Sequence, residues 1–387
     1  MLARSSFKLT PGASQALNLM RGTAALLVLL NHWRELFFVD YPDLSHPSFL
    51  ARAFYFICGF GHQSVIIFFV VSGYLVGGSA MRQIAVDRWS WKRYLFIRGT
   101  RLYTVLIPAL LLGLFWDRSG MYLFGDAGTY GGHGPQNIVH LPVRLTTGPL
   151  AFMVNFSFLQ GIGGPTFGTN GALWSLAYEF WYYLLFPCLL LCLTRRKKAW
   201  QRSAYLLLSL AIFGLVGWRI SLYAFIWLLG AVVAALPSYR RAMPAFWLGI
   251  TCSLLLCALA WARLSHRHEI RSDLILGIVF AATVYIALGA LRNALAGKLN
   301  ILITHLADSS YTLYLVHIPV LAFASATLEF GSRFDLQPLH LGIALFVLGS
   351  VFLYAQIVYF LFEANTDRLR GLLRSIGQPT RPAQAAG

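Results

Sequence analysis

The chain has 387 residues and a formal net charge of +17, and it is 58% hydrophobic but only 12% charged. So few charged residues cannot cover the surface of a soluble domain of this size, which excludes an ordinary water-soluble fold. A basic chain can bind nucleic acid, but here the basic residues are spread over short loops between long apolar runs. We therefore expect contacts with anionic lipid headgroups and no nucleic-acid partner.

Ten apolar stretches are long enough to cross a bilayer as helices, which takes about 20 residues. They lie near residues 14–38, 54–78, 101–117, 172–193, 203–218, 220–236, 245–262, 273–291, 308–328 and 339–362. We predict an all-α, polytopic transmembrane bundle over residues 14–362, between an N-terminal tail (1–13) and a basic C-terminal tail (363–387). The first stretch lacks the features of a cleaved signal peptide, so we interpret it as a true span.

The distribution of lysine and arginine predicts that both ends lie in the cytoplasm. With the N-terminus inside, 21 of the 31 basic residues fall on the cytoplasmic side and nine fall outside, as the positive-inside rule requires. Residues 148–160 are apolar but too few to span, so we interpret them as a re-entrant or surface segment of the outer loop 118–171. The glycine-rich end of that loop, 161–171, is either a flexible connection or a lid or cavity wall over an outward-facing site.

The five cysteines all fall within apolar runs: Cys58, Cys188, Cys192, Cys252 and Cys257. Their spacing does not match a zinc site, and buried thiols commonly behave as small apolar side chains. We therefore expect neither disulfides nor a metal site.

The first predicted helix carries two ionisable side chains, Arg21 and His32, eleven residues apart. They lie within roughly 20° of each other around the helix and about 16 Å apart along it. An ionisable group inside a membrane usually faces a cavity and marks a functional site. The alternative is an arginine that reaches toward the headgroups and a histidine that is hydrogen-bonded for structural reasons.

One acidic residue, Glu179, falls well inside a predicted span, in the segment LWSLAYEFWYY. Helical spacing places four side chains along one face: Ser175, Tyr178, Glu179 and Tyr182. Glu179 lies at a depth comparable to that of His32, and a carboxylate beside an imidazole suits general-base catalysis. The alternative is a structural glutamate paired with an arginine or a hydroxyl.

Two short motifs lie at the inner ends of the second and third spans. Ser72 and Gly73, in the segment FFVVSGY, allow close approach between helices. Arg98 and Arg101 are three residues apart and suit phosphate binding through charge-assisted hydrogen bonds. Taken alone, the first motif is explained by helix packing and the second by membrane topology.

The ninth span begins with SSYTLYLVHIP, in which Tyr311, Tyr314 and His317 share one broad helical face. We expect these side chains to line the same cavity, and a buried, hydrogen-bonded core histidine is an equal alternative for His317. His62 and Gln63, early in the second span, are weaker candidates of the same kind.

Five motifs in this order resemble those of the acyltransferase-3 family of integral membrane acyltransferases. Their residues are Arg21 and His32; Phe68, Phe69, Ser72, Gly73 and Tyr74; Arg98 and Arg101; Trp174, Ser175 and Glu179; and Ser310, Tyr311, Leu313, Tyr314, His317 and Pro319. Each motif is weak alone, but five in order on a ten-span frame form a specific pattern. The resemblance runs from Leu17 to about Phe362.

The resemblance implies an O-acyltransferase that acts on a hydroxyl of a glycan or a lipid-linked glycan, as in polysaccharide or lipopolysaccharide modification. It implies acetyl-CoA, or another acyl-CoA, as a co-substrate reached from the cytoplasm, with no permanently bound cofactor. Because the family is abundant in bacteria, we expect the bacterial cytoplasmic (inner) membrane. The acceptor, the acyl chain length and the oligomeric state are left open.

Our hypothesis gives each candidate residue a role. His32 is the general base on the acceptor hydroxyl, and Glu179 assists it; a covalent relay through acyl-His32 is a variant. Five residues would contact the acyl-CoA donor: Arg21, Arg98, Arg101, Ser72 and Gly73. Six would shape the cavity or position the acceptor: Trp174, Ser175, Tyr178, Tyr311, Tyr314 and His317.

Two other classes of function use similar features. A proton-coupled transporter or flippase of a glycolipid or small metabolite also carries intramembrane arginine, histidine and glutamate. A structural subunit of a glycan-assembly complex would not need aligned buried charges. Release of CoA that depends on both the protein and an acceptor distinguishes the enzyme from these two.

Overall fold

The computed structural model describes residues 9–126, 128–134, 138–139, 141–237, 242–264, 270–328 and 333–376. This part of the chain folds into α-helices joined by turns and short 3-10 segments. The helices are α1 (Pro11–Phe37), α2 (Phe49–Ile57), α3 (Gly61–Ser72), α4 (Gly78–Ala85), α5 (Trp91–Phe124), α6 (Val143–Thr146), α7 (Pro149–Phe156), α8 (Trp174–Leu193), α9 (Ala199–Ala235), α10 (Ala245–Leu264), α11 (Ile270–Ala290), α12 (Lys298–Asp308), α13 (Ser310–Leu328), α14 (Pro338–Leu361) and α15 (Thr366–Ile376).

Within the described ranges, nine helical stretches are long and apolar enough to cross a membrane. The predicted all-α polytopic bundle is therefore confirmed. One of the nine stretches, α9, has 37 residues and contains both the fifth and the sixth predicted spans as two helices that meet at a kink. A straight helix of that length would measure about 55 Å, but the backbone of α9 breaks at Gly217, where φ is 74° and ψ is 177°. The two arms meet close to the boundary predicted near Arg219.

The second predicted span, 54–78, is not one straight helix. α2 ends at Ile57, α3 begins at Gly61, and a π-helical segment, Gly73–Gly77, joins α3 to α4. A π-turn widens the helix locally and is frequent at functional sites. Here it directly follows Ser72, one of the predicted site residues.

The third span begins earlier than predicted, at Trp91 rather than near residue 101. The Ser90 hydroxyl accepts a hydrogen bond from the backbone N–H of Arg93 and caps this end of α5. Hydropathy locates only the apolar part of a helix, so it does not detect the basic first turns of α5. As a consequence, Arg98 and Arg101 both lie on α5 itself.

Three predicted connections contain helices of their own. α12 precedes the ninth span, and α15 lies in the predicted C-terminal tail. In the outer loop, α7 has eight residues, about 12 Å of helix, so it cannot span a bilayer. The re-entrant or surface interpretation of 148–160, and the cytoplasmic position of both ends, stay predictions. Residues 1–8 and 377–387 of the two tails lie outside the described ranges.

The glycine-rich end of the outer loop is fixed to the bundle. The buried carboxylate of Asp117 on α5 accepts hydrogen bonds from the Thr169 N–H at 3.0 Å and from the Thr169 hydroxyl at 2.7 Å. The Asn170 side-chain amide donates to Leu315 O on α13 at 2.8 Å. The segment is therefore a packed part of the bundle and not a loose connection. Whether it covers an outward-facing site stays a prediction.

Helices α3 and α9 touch backbone to backbone. A Cβ on Gly73 would lie 1.9 Å from Trp227 O, and a Cβ on Gly230 would lie 1.8 Å from Val70 O. Neither distance leaves room for a methyl group, so both positions require glycine for this close approach. The structure thus places Gly73, which we predicted to contact the donor, in a contact between helices. Its neighbour Ser72 is held in place by the same contact.

Replacing Gly73 with alanine should push α3 and α9 apart. We expect Gly73→Ala to lower the free energy of unfolding by about 1–3 kcal/mol, the usual cost of overpacking. The measurement is the thermal unfolding midpoint of the purified protein in detergent.

Gly249→Ala is the matched control, because nothing lies within 4 Å of a Cβ at that helical position. The control should unfold at or slightly above the wild-type temperature, since alanine favours a helix more than glycine does. Equal unfolding temperatures for Gly73→Ala and wild type would contradict the backbone contact.

Candidate active site

A cavity of about 120 Å³ lies inside the bundle. Eight of the thirteen predicted site residues line it: Arg21, Ser72, Arg98, Arg101, Ser175, Glu179, Tyr311 and Tyr314. The rest of the wall consists of Val65, Phe68, Phe69, Val71, Leu75, Val76, Leu102, Leu176, Tyr183 and Ser310. Helices α1, α3, α5, α8 and α13 therefore bring together motifs that are far apart in the sequence.

Arg21 is held by groups inside the protein. Its Nη2 donates to Ala307 O at 3.0 Å and lies 3.3 Å from the Ser310 hydroxyl, where α12 gives way to α13. His32, eleven residues later, also contacts α13, so the two side chains face the same neighbour as their spacing predicts. Arg21 is therefore a wall residue of the cavity and not a side chain that reaches only toward the headgroups.

Arg98 and Arg101 add two more positive charges to the wall. The Cζ of Arg98 lies 5.7 Å from the ring centre of Tyr94 and 6.0 Å from that of Tyr183, distances at which a guanidinium interacts with an aromatic face. Its buried Nε has no hydrogen-bond partner among the described residues. Arg101 is exposed. Three cations in and around one cavity suit an anionic ligand.

Glu179 is the carboxylate of this cavity. Its Oε2 accepts a hydrogen bond from the Tyr183 hydroxyl at 3.2 Å, and that hydroxyl lies 3.2 Å from Ser72 Oγ. Ser72 Oγ also accepts from Trp227 Nε1 at 3.2 Å. Because Arg21 and Arg101 act on Glu179 electrostatically, the carboxylate partly balances the positive wall.

His32 and His317 form a pair outside the cavity wall. His32 Nδ1 lies 2.8 Å from His317 Nε2, and the two rings are stacked with their centres 5.0 Å apart. His317 Nδ1 in turn lies 2.9 Å from Leu313 O. His317 is thus the buried partner that orients His32.

The order of these contacts fixes the tautomers of the two neutral rings. Leu313 O can only accept, so His317 Nδ1 must carry the proton and His317 Nε2 must be an acceptor. His32 Nδ1 must then donate to His317, which leaves the lone pair on His32 Nε2. A neutral His32 therefore presents a basic nitrogen on the side opposite its partner.

The structure shows other contacts for His32 and Glu179 than the predicted pairing, which stays a prediction. In the described structure the two residues belong to separate hydrogen-bonded clusters, His32 with His317 and Glu179 with Tyr183. The helical face and the depth of a residue indicate the direction in which its side chain points. They do not indicate which neighbouring helix supplies the partner of that side chain. The contact that the structure shows for His32 is with His317.

Tyr314 connects the two clusters. It lines the cavity, and its ring centre lies 5.8 Å from that of Phe68 and 6.4 Å from that of His317. Its hydroxyl lies 2.8 Å from Ser175 Oγ and donates to Ala172 O at 3.1 Å. Tyr314 is therefore the wall residue through which the cavity reaches the histidine pair.

Trp174 and Tyr178 lie on the far side of Phe69 from the cavity. The Phe69 ring lines the cavity, and its centre is 6.2 Å from that of Trp174 and 6.1 Å from that of Tyr178. Tyr182, which we placed on the same helical face, donates to Ile220 O at 2.6 Å. The cavity face of α8 instead contains Ser175, Leu176, Glu179 and Tyr183.

Sequence reasoning missed two polar residues. Tyr183 lies four residues after Glu179, the spacing of neighbours on a helix surface, and this spacing is the signal that identifies it. Asp273 is 1% exposed. It stands near the start of a predicted span, where an acidic residue is usually interpreted as part of an exposed helix end. Depth in the membrane is hard to judge near a boundary, and no sequence signal marked Asp273.

A comparison with protein families matches residues 14–358 to the acyltransferase domain of the acyltransferase-3 family. The match covers most of the chain, so this chain belongs to that family, as its motifs indicate. The bundle and the cavity are therefore those of an integral membrane acyltransferase.

Three curated relatives share part of the sequence. An O-acetyl transferase of Shigella phage Sf6 is 24% identical over 82% of this chain and 88% of its own length. An uncharacterized protein of Haemophilus influenzae is 29% identical over 38% of this chain and 56% of its own length. Nodulation protein 10 of Rhizobium leguminosarum bv. viciae is 27% identical over 51% of this chain and 48% of its own length. The chain thus spans about half the length of the last two. No solved structure matches it.

Proposed function

We propose that this protein moves an acyl group, in the simplest case acetyl, from acyl-CoA to a hydroxyl of a glycan or glycolipid. The observation that carries the proposal is the arrangement of two unlike sites joined at Tyr314: an arginine-lined cavity and a histidine pair. Membership of the acyltransferase family and the name of the phage relative support the reaction type.

The arginine-lined cavity suits the anionic donor. The phosphates of a coenzyme A ester are recognised by guanidinium groups through charge-assisted hydrogen bonds, and the buried Nε of Arg98 has no partner among the described residues. A cavity of about 120 Å³ is smaller than the 300 Å³ or more of a typical ligand cleft. It would therefore take the thin acyl end of the donor, while the nucleotide lies outside near the exposed Arg101.

The histidine pair supplies the base. His32 Nε2 takes the proton of the acceptor hydroxyl, and the oxygen attacks the thioester carbonyl carbon to form a tetrahedral intermediate. The C–S bond then breaks, and His32 returns the proton to the thiolate, which leaves as CoA–SH. While His32 is protonated, its hydrogen bond to the His317 lone pair stabilises the imidazolium.

Hydroxyl groups on the connecting wall are placed to help the transition state. Tyr314 and Ser175 both line the cavity, and their hydroxyl groups are hydrogen-bonded to each other at 2.8 Å. To stabilise the charge that develops on the thioester oxygen, one of these hydroxyls would have to turn its single proton away from Ala172 O or from the other hydroxyl. Glu179 has a separate role in this proposal: it accepts the hydrogen bond of Tyr183, and its negative charge offsets part of the positive charge of the arginines in the donor cavity.

The side of the membrane from which the proposed donor comes determines how the protein is oriented in the membrane. Acyl-CoA is a cytoplasmic metabolite, so the arginine end of the bundle would face the cytoplasm and the histidine end the opposite side, with both chain ends inside. The excess of basic residues in the predicted cytoplasmic segments supports this orientation. A bacterial cytoplasmic membrane is the location we propose.

The donor site can be tested by binding alone. We expect Arg98→Ala/Arg101→Ala to raise the Kd for acetyl-CoA about tenfold or more, because each lost charge-assisted hydrogen bond contributes about 1.5–3 kcal/mol. Isothermal titration of the purified protein in nanodiscs measures it.

Arg93→Ala is the control for the donor site, since Arg93 is an exposed arginine on the same helix outside the cavity. Its Kd should equal that of the wild type. An unchanged Kd in the double variant would remove the phosphate role of the two arginines. Folded wild-type protein that binds neither acetyl-CoA nor longer acyl-CoAs would favour a transporter instead.

The base can be tested by turnover. We expect His32→Ala to lower kcat by about 100-fold or more, the usual contribution of a general base, while acetyl-CoA binding stays unchanged. His317→Phe should cause a smaller loss, because it removes only the partner that orients His32. The assay follows CoA release in the presence of membrane glycolipid.

His340→Ala is the control for the base, as this histidine stacks on Phe334 and belongs to neither cluster. It should keep the wild-type rate. A folded His32→Ala protein with full transferase activity would refute both direct transfer and the relay through acyl-His32.

A further inference from the structure

The arginine-lined cavity extends lengthwise between α3 and α8. The Ser72 hydroxyl on α3 lies 3.2 Å from the Tyr183 hydroxyl on α8, and the Cζ of Arg98 lies 6.0 Å from the ring centre of Tyr183. These three residues mark the arginine end of the cavity. Val65 and Leu176 also line it. Each of the two comes seven residues earlier in its own helix, which is about 10 Å away along the helix axis.

Val65 and Leu176 lie at the same end of the cavity, because α3 and α8 run in the same direction. The ring of Phe69, one turn after Val65, has its centre 6.2 Å from that of Trp174, the first residue of α8. Val65 is 5% exposed, Leu176 is 3% exposed and Phe69 is 1% exposed. Arg101, at the arginine end, is exposed. The cavity is therefore accessible from its arginine end, and Val65, Phe69 and Leu176 form its closed end.

The closed end is firmly packed from behind. The Phe69 ring centre lies 6.0 to 6.2 Å from the centres of four other aromatic rings, none of which lines the cavity: Trp174, Tyr178, Tyr182 and Tyr223. Tyr314 lines the cavity from α13, and its hydroxyl is held by Ser175 Oγ at 2.8 Å and by Ala172 O at 3.1 Å. Close-packed side chains of this kind do not move aside without a loss of stability. The closed end therefore limits the size of the group that enters it.

The chemistry of the closed end suits a short acyl chain. Val65, Phe69 and Leu176 present only carbon and hydrogen atoms from their side chains, which favour an apolar group. The Tyr314 hydroxyl lines the same cavity and is a polar neighbour for a thioester carbonyl. The cavity of about 120 Å³ must also hold the sulfur end of coenzyme A, so little room is left for the acyl carbons.

We propose that Val65 and Leu176 determine which acyl groups the protein accepts, and that they admit acetyl but exclude butanoyl and longer chains. This proposal rests on the proposed use of acyl-CoA and specifies the donor of that same cavity. The acyl carbons would lie against Val65, Phe69 and Leu176, with the thioester carbonyl near Tyr314. Each additional methylene would have to displace side chains that are already packed, which is unfavourable.

Titration with a series of coenzyme A compounds tests the length limit without an acceptor. The purified protein in nanodiscs is titrated with CoA, acetyl-CoA, butanoyl-CoA and hexanoyl-CoA. We expect wild type to bind butanoyl-CoA at least about tenfold more weakly than acetyl-CoA, because one methylene changes the fit to a pocket by roughly 10-fold to 200-fold.

Substitutions at the closed end should shift this preference in both directions. Val65→Ala removes two methyl groups, and butanoyl is longer than acetyl by two methylenes. In Val65→Ala and in Leu176→Ala, the Kd values for acetyl-CoA and butanoyl-CoA should therefore come within about threefold of each other. Val65→Leu adds a carbon and should raise the Kd for acetyl-CoA about tenfold. The Kd for CoA should stay unchanged in all three variants, because CoA has no acyl group.

Val70→Ala is the matched control for Val65→Ala. Val70 is on the same helix and is 0% exposed, but it does not line the cavity. The substitution leaves a similar void in the core and should lower the unfolding temperature. The ratio of the Kd values for butanoyl-CoA and acetyl-CoA should equal that of the wild type.

Three results would contradict the proposed length limit. Wild type that binds butanoyl-CoA as tightly as acetyl-CoA, or more tightly, would show that the cavity sets no such limit. An acetyl preference that persists in Val65→Ala and Leu176→Ala would place the limit elsewhere. An equal loss of affinity for CoA and acetyl-CoA in these variants would show that the two residues only support the fold. In all three cases wild type binds coenzyme A compounds, so the proposed acyl transfer stands. Folded wild type that binds none of the four compounds would instead refute the acyl-CoA donor itself.

Discussion

A polar side chain inside a membrane-spanning bundle must find its partner within the protein, because the surrounding lipid offers none. The whole interior of this molecule follows from that constraint. Arg21 is satisfied at the start of α13, Glu179 by Tyr183, His32 by His317, and Asp273 by His62 and Tyr223. Except for the bond between Glu179 and Tyr183, which lies within α8, these contacts tie together helices that are distant in the sequence, so the polar clusters are also the joints of the bundle.

These joints divide the interior into regions of different chemistry. The arginine-lined cavity is positively charged, the two histidines bind each other and, among the described residues, contact no carboxylate, and the cluster around Asp273 is aromatic with one buried carboxylate. Tyr314 borders the first two regions, and Phe69 borders the first and third. In the proposed acyl transfer, such a division would keep the anionic donor in the positively charged cavity and the base beside it, with Tyr314 as the shared wall.

Much of this could be predicted from the sequence, and the exceptions have physical causes. Long apolar runs gave spans such as α8 and α14 to within a few residues, because burial in lipid depends on composition alone. The early start of α5 and the helices α12 and α15 were missed, because hydropathy does not detect a polar helix. Spacing along one helix found the wall positions Ser175 and Glu179. The contact between His32 and His317 and the burial of Asp273 depend on how helices are arranged, and no single helix contains this information.

A chain of two hydrogen bonds runs from His32 to His317 and from His317 to Leu313 O. A proton that arrives on His32 can pass to His317, but it can go no further, because the next acceptor is an amide oxygen, a far weaker base than imidazole. The path is closed at that end, so the proton must leave by the way it came. In the proposed reaction, the two histidines therefore offer the proton no onward path through this chain of hydrogen bonds, which ends at Leu313 O.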